Sequence, residues 1–490
     1  MHLYNLLNYD YNNLKSVKLR VHFMFIGREK EKELLNELYT SEKFEFLVLY
    51  GRRRVGKTSL LREFASSNAS IFFSAQEKND QLNLEDFSKT VLRYFGEEYL
   101  GVFQNWETAF SYISKQCKDD EKIVLIIDEF PFLASENPSI KSMLQHMIDH
   151  VWKEKKLMLI LCGSSVSFME NDVMGYKSPL YGRSTAQLEL HPFDYLESAK
   201  FFQNYSNLDK LYAYGILGGI PCYLQTFDDK KTITKNIETQ ILRTGSFLKD
   251  EPQLLLKMEL REPTIYNSIF EAISNGASRM NDISQKIHEE SFKCSKYLST
   301  LQNIKLVKKI VPCGEKETSR RTIYRIADNF YSFWYHFVFA NKSYYEILGE
   351  QEAAEEIMLA ENISRYMGGI FEQICKEYMI RQAKKRKLPF VPAYVEKWWG
   401  NNPVRKAEDD IDILLMDPKQ EKRILCECKF KNDAFGKEEY EVMKSRTSIF
   451  GEENEYYFYV FSKGGFTSWV KDTAKQDGVI LVEIDDLFLE

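Results

Sequence analysis

The chain has no run of about eighteen apolar residues, so no membrane-spanning helix is expected in its 490 residues. The amino terminus also lacks the apolar centre of a secretory signal: Met1 to His22 is rich in Asn and Tyr. Residues 1–23 read as an extension, with Met24 as an alternative start. The eight cysteines contain no CxxC pair, which argues against a disulfide framework or zinc knuckle and for reduced core thiols. His146 and His150 lie four apart but have no Glu beside the first and no evident third ligand, so packing or surface roles are expected. A formal charge of -6 gives no global drive toward nucleic acid, and any such contact must be local. What is present suits a soluble cytoplasmic protein: 44% hydrophobic residues supply sizeable cores, and the length suggests roughly three domains.

The most informative segment is Gly51-Arg52-Arg53-Arg54-Val55-Gly56-Lys57-Thr58, of form GxxxxGK[ST]. Phe44 to Tyr50 reads as a buried strand before it, and Ser59 to Phe64 opens a helix after it. Backbone N–H groups between the two glycines then turn toward an anion at a helix N-terminus. Lys57 reaches the β- and γ-phosphates of ATP, and the Thr58 hydroxyl takes a place on Mg²⁺.

Lys122 to Glu129 is a second apolar run that ends in two carboxylates, as a central parallel strand does when both faces are covered. Asp128 is expected in the Mg²⁺ shell, and Glu129 as the base or water-positioning group for hydrolysis. A third run, Leu157 to Gly163, leads to Ser164 and Ser165, candidates for sensing the γ-phosphate. Arg183 has two readings, an arginine that meets the charge of phosphoryl transfer or an ordinary ion-pair residue.

Together with Phe25-Ile26-Gly27-Arg28-Glu29, Leu180-Tyr181-Gly182-Arg183 and Gly218-Gly219-Ile220-Pro221, these motifs resemble the archaeal-type ATPases of the AAA+/STAND neighbourhood. The resemblance implies an α/β P-loop NTPase core with a parallel sheet over 24–170, a helical lid over 171–250, a winged helix over 251–345 and a C-terminal domain over 346–490.

The residues themselves suggest a winged helix. A short amphipathic helix over Ser295–Leu301 is followed by Val307–Val311, a turn at Gly314, and Arg320–Arg325. Lys293, Lys296, Arg320 and Arg321 either contact DNA phosphates or sit on a packing module. The run Phe330 to Phe337 is too bulky for solvent and is expected to join this region to its neighbour.

Nearer the C-terminus, a helix is expected to begin at Gly368-Gly369 and carry Glu372, with strands at Asp410–Leu415 and Ile424–Phe430. Strand periodicity sets Glu427 and Lys429 on one face, Cys426 and Cys428 on the other, and separates Asp412 from Ile411 and Ile413. Two or three carboxylates beside a lysine suit metal-assisted phosphodiester hydrolysis. The arrangement is similar to the PD-(D/E)XK nuclease superfamily, which implies a restriction-endonuclease-like α/β domain. By that resemblance Asp412 and Glu427 hold metal, Lys429 orients the nucleophile and Glu372 joins from the helix. The basic cluster Arg381 to Lys387 either helps a phosphate backbone approach or is a solvated helix end.

Two functions stand at this point. One is an ATPase that licenses a metal-dependent nuclease on DNA. The other is a nucleotide-operated switch whose inactive nuclease-like domain binds a partner or nucleic acid. A homo-oligomer or a protein partner is left open.

Overall fold

Apolar runs without polar alternation form the inner strands of a parallel sheet. The computed structural model describes residues 25–490 apart from Asp119, Glu452 and Glu490. The extension expected over 1–23 lies outside the described residues. Strands β1 (Glu45–Tyr50), β2 (Ser70–Ser74), β3 (Ile123–Asp128), β4 (Leu157–Gly163) and β5 (Ala186–Glu189) lie in the order β2-β3-β4-β1-β5, all parallel. Both β3 and β4 are buried along their full length, because helices cover both faces of the sheet. Leu47 of β1 and Ile126 of β3 flank Ile160 of β4, so the C-terminal ends of these strands share one edge. That edge carries the segments after Tyr50, Asp128 and Gly163.

Helices Asn207–Leu217 and Phe247–Glu259 come next, then helices Pro263–Ser274, Met280–Lys286 and Ser291–Asn303. An antiparallel pair follows, β6 (Val307–Ile310) and β7 (Ile323–Ile326), with Lys308 opposite Arg325. The aromatic run is buried as its bulk requires, and Phe270 stacks on Tyr335 with centroids 4.9 Å apart. The link between β6 and β7 packs onto the edge of the next sheet. There the Cys313 N–H donates to the Lys397 carbonyl (2.9 Å), and Arg321 pairs with Glu315 and donates to the Trp399 carbonyl. Arg320 and Arg321 thus sit in a connection, ahead of the strand expected to contain them.

Strands β8 (Tyr394–Asn402), β9 (Ala407–Met416), β10 (Lys422–Lys429), β11 (Glu455–Ser462) and β12 (Ile480–Val482) form the second sheet, in the order β12-β11-β10-β9-β8. The first three strands pair antiparallel, and β10, β11 and β12 pair parallel. The helix before them runs Ala360–Lys384, starting eight residues ahead of Gly368. Ile363, Met367, Ile370, Phe371 and Ile374 give it a continuous buried face. That face outweighs the cost of two interior glycines, about 1 kcal/mol each.

One hydrophobic core runs from Leu49 and Ile160 through Leu217, Tyr331 and Met367 to Ile413 and Cys426, so the two sheets share packing. Among the described residues no helix is long and apolar enough to cross a membrane.

Helix Asn207–Leu217 approaches Ala360–Lys384 closely at Gly215, where an added Cβ would stand 2.3 Å from the Met367 sulfur. Beside this contact the Tyr214 hydroxyl and the Gln373 amide donate to Glu377 Oε1 (3.2 and 3.1 Å), and the Tyr195 N–H donates to Oε2 (3.3 Å). Burial pushes the Glu377 carboxyl up to about 7, and Asp194 adds to the shift. Between the ordinary value near 4.5 and that value, the folded state holds the extra proton, so stability falls as the pH rises through this window. Glu377→Gln removes the titration. In urea melts the variant should gain on the wild type from pH 5 to 7, by up to about 1.4 kcal/mol per pH unit, and level off above. A pH-independent difference would contradict the assignment.

Candidate functional site

After β1 the chain turns at Gly51, whose φ is +147° and where an added Cβ would stand 2.4 Å from the Leu190 carbonyl oxygen. Positive φ at Arg54 and Gly56 then leads the loop into helix Lys57–Ser66, with Val55 buried beneath and Ser59 exposed on the first turn. The Lys57 ammonium spans the loop and donates to the carbonyls of Gly51 and Arg52, each at 2.8 Å. Its burial lowers its pKa, against the pull of Cys162, Glu129 and Asp128. The Thr58 hydroxyl donates to Asp128 Oδ2 (2.8 Å), and the Ser164 hydroxyl donates to Glu129 Oε2 (2.9 Å). The loop, Asp128, Glu129 and Ser164 therefore meet on the sheet edge. Thr58 and Asp128 form an all-oxygen pair that suits Mg²⁺, which takes few protein ligands besides phosphate and water. They would hold the ion, which would supply charge neutralisation at the phosphates.

Sequence spacing gives no sign of what the three arginines do. Arg52 pairs with Asp328 (2.9 Å), Arg53 with Glu259 (2.6 Å) and Arg54 with Glu251 (2.7 Å). Each acid comes from the helical region beyond the first sheet. Burial works against the charge of Arg52, but the charge of Asp328 and its hydrogen bond, with the phenol groups of Tyr331 and Tyr223, outweigh it and leave the pKa raised. Burial pushes Glu251 up to about 7 against the opposing pull of Arg54 and the Tyr223 hydroxyl, which donates to it at 3.1 Å. Arg28 is a further missed residue: its guanidinium lies over the Phe193 ring (4.1 Å) and donates to the carbonyls of Val55 and His191 (2.9 and 2.7 Å). The Gly27-Arg28-Glu29 box thus holds the phosphate loop from behind.

Arg183 is not brought to this edge. It precedes β5, which runs parallel to β1, so it lies at the opposite end of the strands. Six residues of β1 span about 20 Å. There it makes a bidentate pair with Asp149 (2.7–3.1 Å) and donates to the Pro179 and Tyr181 carbonyls. Of the two readings of Arg183, this placement corrects the one in which it meets the charge of phosphoryl transfer and agrees with the ion-pair residue.

The second cluster gathers on the C-terminal sheet. Ile413 pairs with Cys426, which sets Asp412 opposite Glu427, and the Cys428 N–H donates to Asp412 Oδ2 (2.8 Å). Glu372 arrives from the long helix. Cations already hold these acids: Lys397 of β8 lies 3.1 Å from Glu372, 3.0 Å from Asp410 and 3.5 Å from Asp412. Lys429 and Arg446 hold the two oxygens of Glu427, and Arg325 reaches Glu372 at 3.3 Å. Burial works against the Lys397 charge, but the three acids outweigh it and raise its pKa. Burial raises the Glu427 pKa, with Asp412 adding to it. Among the described residues no group of three or more His, Cys, Asp or Glu side chains is placed to hold a metal. In this arrangement Lys397, Lys429, Arg446 and the Cys428 N–H occupy the four oxygens of Asp412 and Glu427, so a metal bound there would displace those cations. Sequence reasoning missed Lys397, Arg325 and Arg446, because β8 has no motif and the other two come from separate elements.

Residues 25–227 match a family model described as an ATPase domain predominantly from Archaea. Residues 334–444 match one described as archaeal and bacterial proteins of unknown function. An uncharacterized protein of Methanocaldococcus jannaschii is 31% identical over 474 residues, 94% of this chain and 100% of that relative. An uncharacterized ATP-binding protein of the same organism is 43% identical over 53 residues, 10% of this chain and 90% of that relative. The solved Walker-type ATPase of Pyrococcus abyssi is similar with a TM-score of 0.49 and 20% identity, covering 64% of this chain and 96% of its own.

Removing the ammonium with Lys57→Ala should abolish nucleotide binding in calorimetry. Glu129→Gln should retain binding and hydrolyse ATP at least about 100-fold more slowly. Turnover equal to wild type in the second variant would remove Glu129 from catalysis.

Proposed function

Since the chain belongs to the family of P-loop ATPases found predominantly in Archaea, we propose that it is a nucleotide-operated switch in which ATP binding and hydrolysis at the Lys57 loop set the state of the C-terminal carboxylate cluster. ATP lies along the loop with its phosphates on the N–H groups of residues 51–58 and on Lys57. Glu129, aligned by Ser164, orients the attacking water.

The single observation that carries the coupling is the segment 325–328. Asp328 at one end pairs with Arg52 of the phosphate loop, 276 residues away in sequence, and Arg325 at the other end pairs with Glu372 of the cluster. Asp328 is buried and also accepts the Tyr331 N–H, so the segment is fixed on the helix that it caps. Glu372 in turn holds Lys397, which holds Asp412. Contact alone does not measure coupling, so the test is energetic. A non-hydrolysable ATP analogue should change hydrogen exchange of β9 and β10 in the wild type. The half-exposed change Arg325→Gln should bind the analogue equally well and lose that response. Exchange in β9 and β10 that is indifferent to nucleotide in the wild type would end this reading.

A second reading is DNA cleavage at Asp412, Glu427 and Lys429. The antiparallel pairing that sets Asp412 opposite Glu427, with Lys429 one step along the same face, supports it. It requires Lys397 and Arg446 to release the acids. The three helices and the β6–β7 pair would serve as a winged helix that carries DNA or packs between domains. Lys293 pairs with Glu289 and Lys296 lies over the exposed Phe292 ring, so both lysines stand on the solvent face of their helix. Incubation with plasmid DNA, ATP and Mg²⁺ or Mn²⁺ separates the two readings. Cleavage that is lost in Lys429→Ala makes the protein a nuclease, and intact plasmid beside steady ATP turnover leaves the switch.

A further inference from the structure

The three arginines of the phosphate loop are not held alike. Asp328, the partner of Arg52, has a side chain only 2% exposed, and Glu251, the partner of Arg54, is fully buried. Arg54 also lies over the Phe247 ring at 4.6 Å. Arg53 differs: its one carboxylate partner, Glu259, is the last residue of helix Phe247–Glu259, and the two side chains are 29% and 26% exposed. A pair this open to water contributes little, so a more highly charged partner displaces it readily. Removing one partner of a buried pair such as Arg52–Asp328 costs far more.

Arg53 also faces the right place. Its side chain lines one small cavity with Ser164, Ser165, Glu259 and Tyr331. Ser164 in that lining donates to Glu129 Oε2 at 2.9 Å, so the cavity is one hydrogen bond away from the water-positioning group. The cavity thus opens beside the serine that joins it to Glu129, on the sheet edge where Lys57 also stands.

We propose that Arg53 is the residue by which the protein distinguishes ATP from ADP. Its guanidinium leaves Glu259 for the γ-phosphate, a charge-assisted contact to an oxyanion. It then meets the charge that develops in transfer. In that step a water oxygen bonds to the γ-phosphorus, and the bond to the bridging oxygen breaks with its electron pair staying on ADP. The water proton passes to Glu129 and on to the released phosphate. ADP offers no such partner and leaves Arg53 on Glu259, so the end of helix Phe247–Glu259 is held with ADP and released with ATP. This rests on the nucleotide reading above and adds the element that senses the third phosphate.

The test compares ADP with the β,γ-imido analogue of ATP by calorimetry, in the presence of Mg²⁺, and adds single-turnover hydrolysis of ATP. Arg53→Ala should weaken the analogue about tenfold or more, leave ADP within about twofold, and slow hydrolysis by a factor of about 1,000. Arg53→Lys should recover part of the affinity but little of the rate, because an ammonium lacks the planar fork. Glu259→Gln, which frees Arg53 without touching the loop, should tighten the analogue and leave ADP unchanged. Equal loss for both nucleotides in Arg53→Ala, an unchanged rate, or a Glu259→Gln variant indifferent to the analogue would each overturn the proposal. Wild type that takes up neither nucleotide would overturn the nucleotide site itself.

Discussion

The buried pair between Arg52 and Asp328 is the contact on which the rest of the arrangement turns. Three consecutive guanidinium groups and the Lys57 ammonium concentrate positive charge in one short loop. Helices lie over such a loop only if they bring negative charge with them. Glu251, Glu259 and Asp328 do so, and the deepest of these pairs fixes where the covering region sits. Asp328 is itself placed twice, once by the helix that starts at Asn329 and once by the Ala327 N–H, which donates to the Leu306 carbonyl beside β6. A buried ion pair adds little net stability once desolvation is counted, so its contribution here is to select one position over others.

The loop is supported from behind by a different chemistry. An added Cβ at Gly219 would stand 1.9 Å from the Phe193 carbonyl oxygen, and the Phe193 N–H donates to the Gly219 carbonyl at 2.8 Å. No side chain other than hydrogen fits between these backbones. The close approach presents the Phe193 ring to Arg28, which carries the Val55 carbonyl, and sets Pro221 against Gly56. Gly218-Gly219-Ile220-Pro221 and Gly27-Arg28-Glu29 therefore work on the same loop from opposite ends of the ATPase region, one through shape and the other through hydrogen bonds.

What the sequence made legible follows from how local each signal is. The strands before Gly51, Glu129 and Ser164 are continuous apolar runs with a chemical group at the end, and both the runs and their common edge are where periodicity and turn chemistry set them. The long helix was read short because Gly368-Gly369 looks like a boundary, whereas the buried stripe from Ile363 to Met379 carries the helix through it. The partners of Arg52, Arg53 and Arg54 are illegible because charge pairing across roughly 200 to 280 residues leaves no spacing to detect. The choice between the two readings of Arg183 is illegible for a related reason. Sequence order sets it after β4, but the parallel return of β5 carries it to the far end of the sheet.

The C-terminal cluster shows how one lysine changes the meaning of a carboxylate set. Asp412 beside Glu427 suggests two like charges in need of a divalent ion. Lys397 meets that need from β8, with Arg446 and Lys429 completing the balance on Glu427. The hold of Lys397 on each acid depends on how many acids share it. Glu372 is shared between Lys397 and Arg325, and Arg325 belongs to the segment whose other end is fastened to the phosphate loop. Under the proposed coupling, withdrawing Arg325 would leave Glu372 to Lys397 alone and weaken the hold of that ammonium on Asp412, so the face where β9 and β10 meet would become more negative.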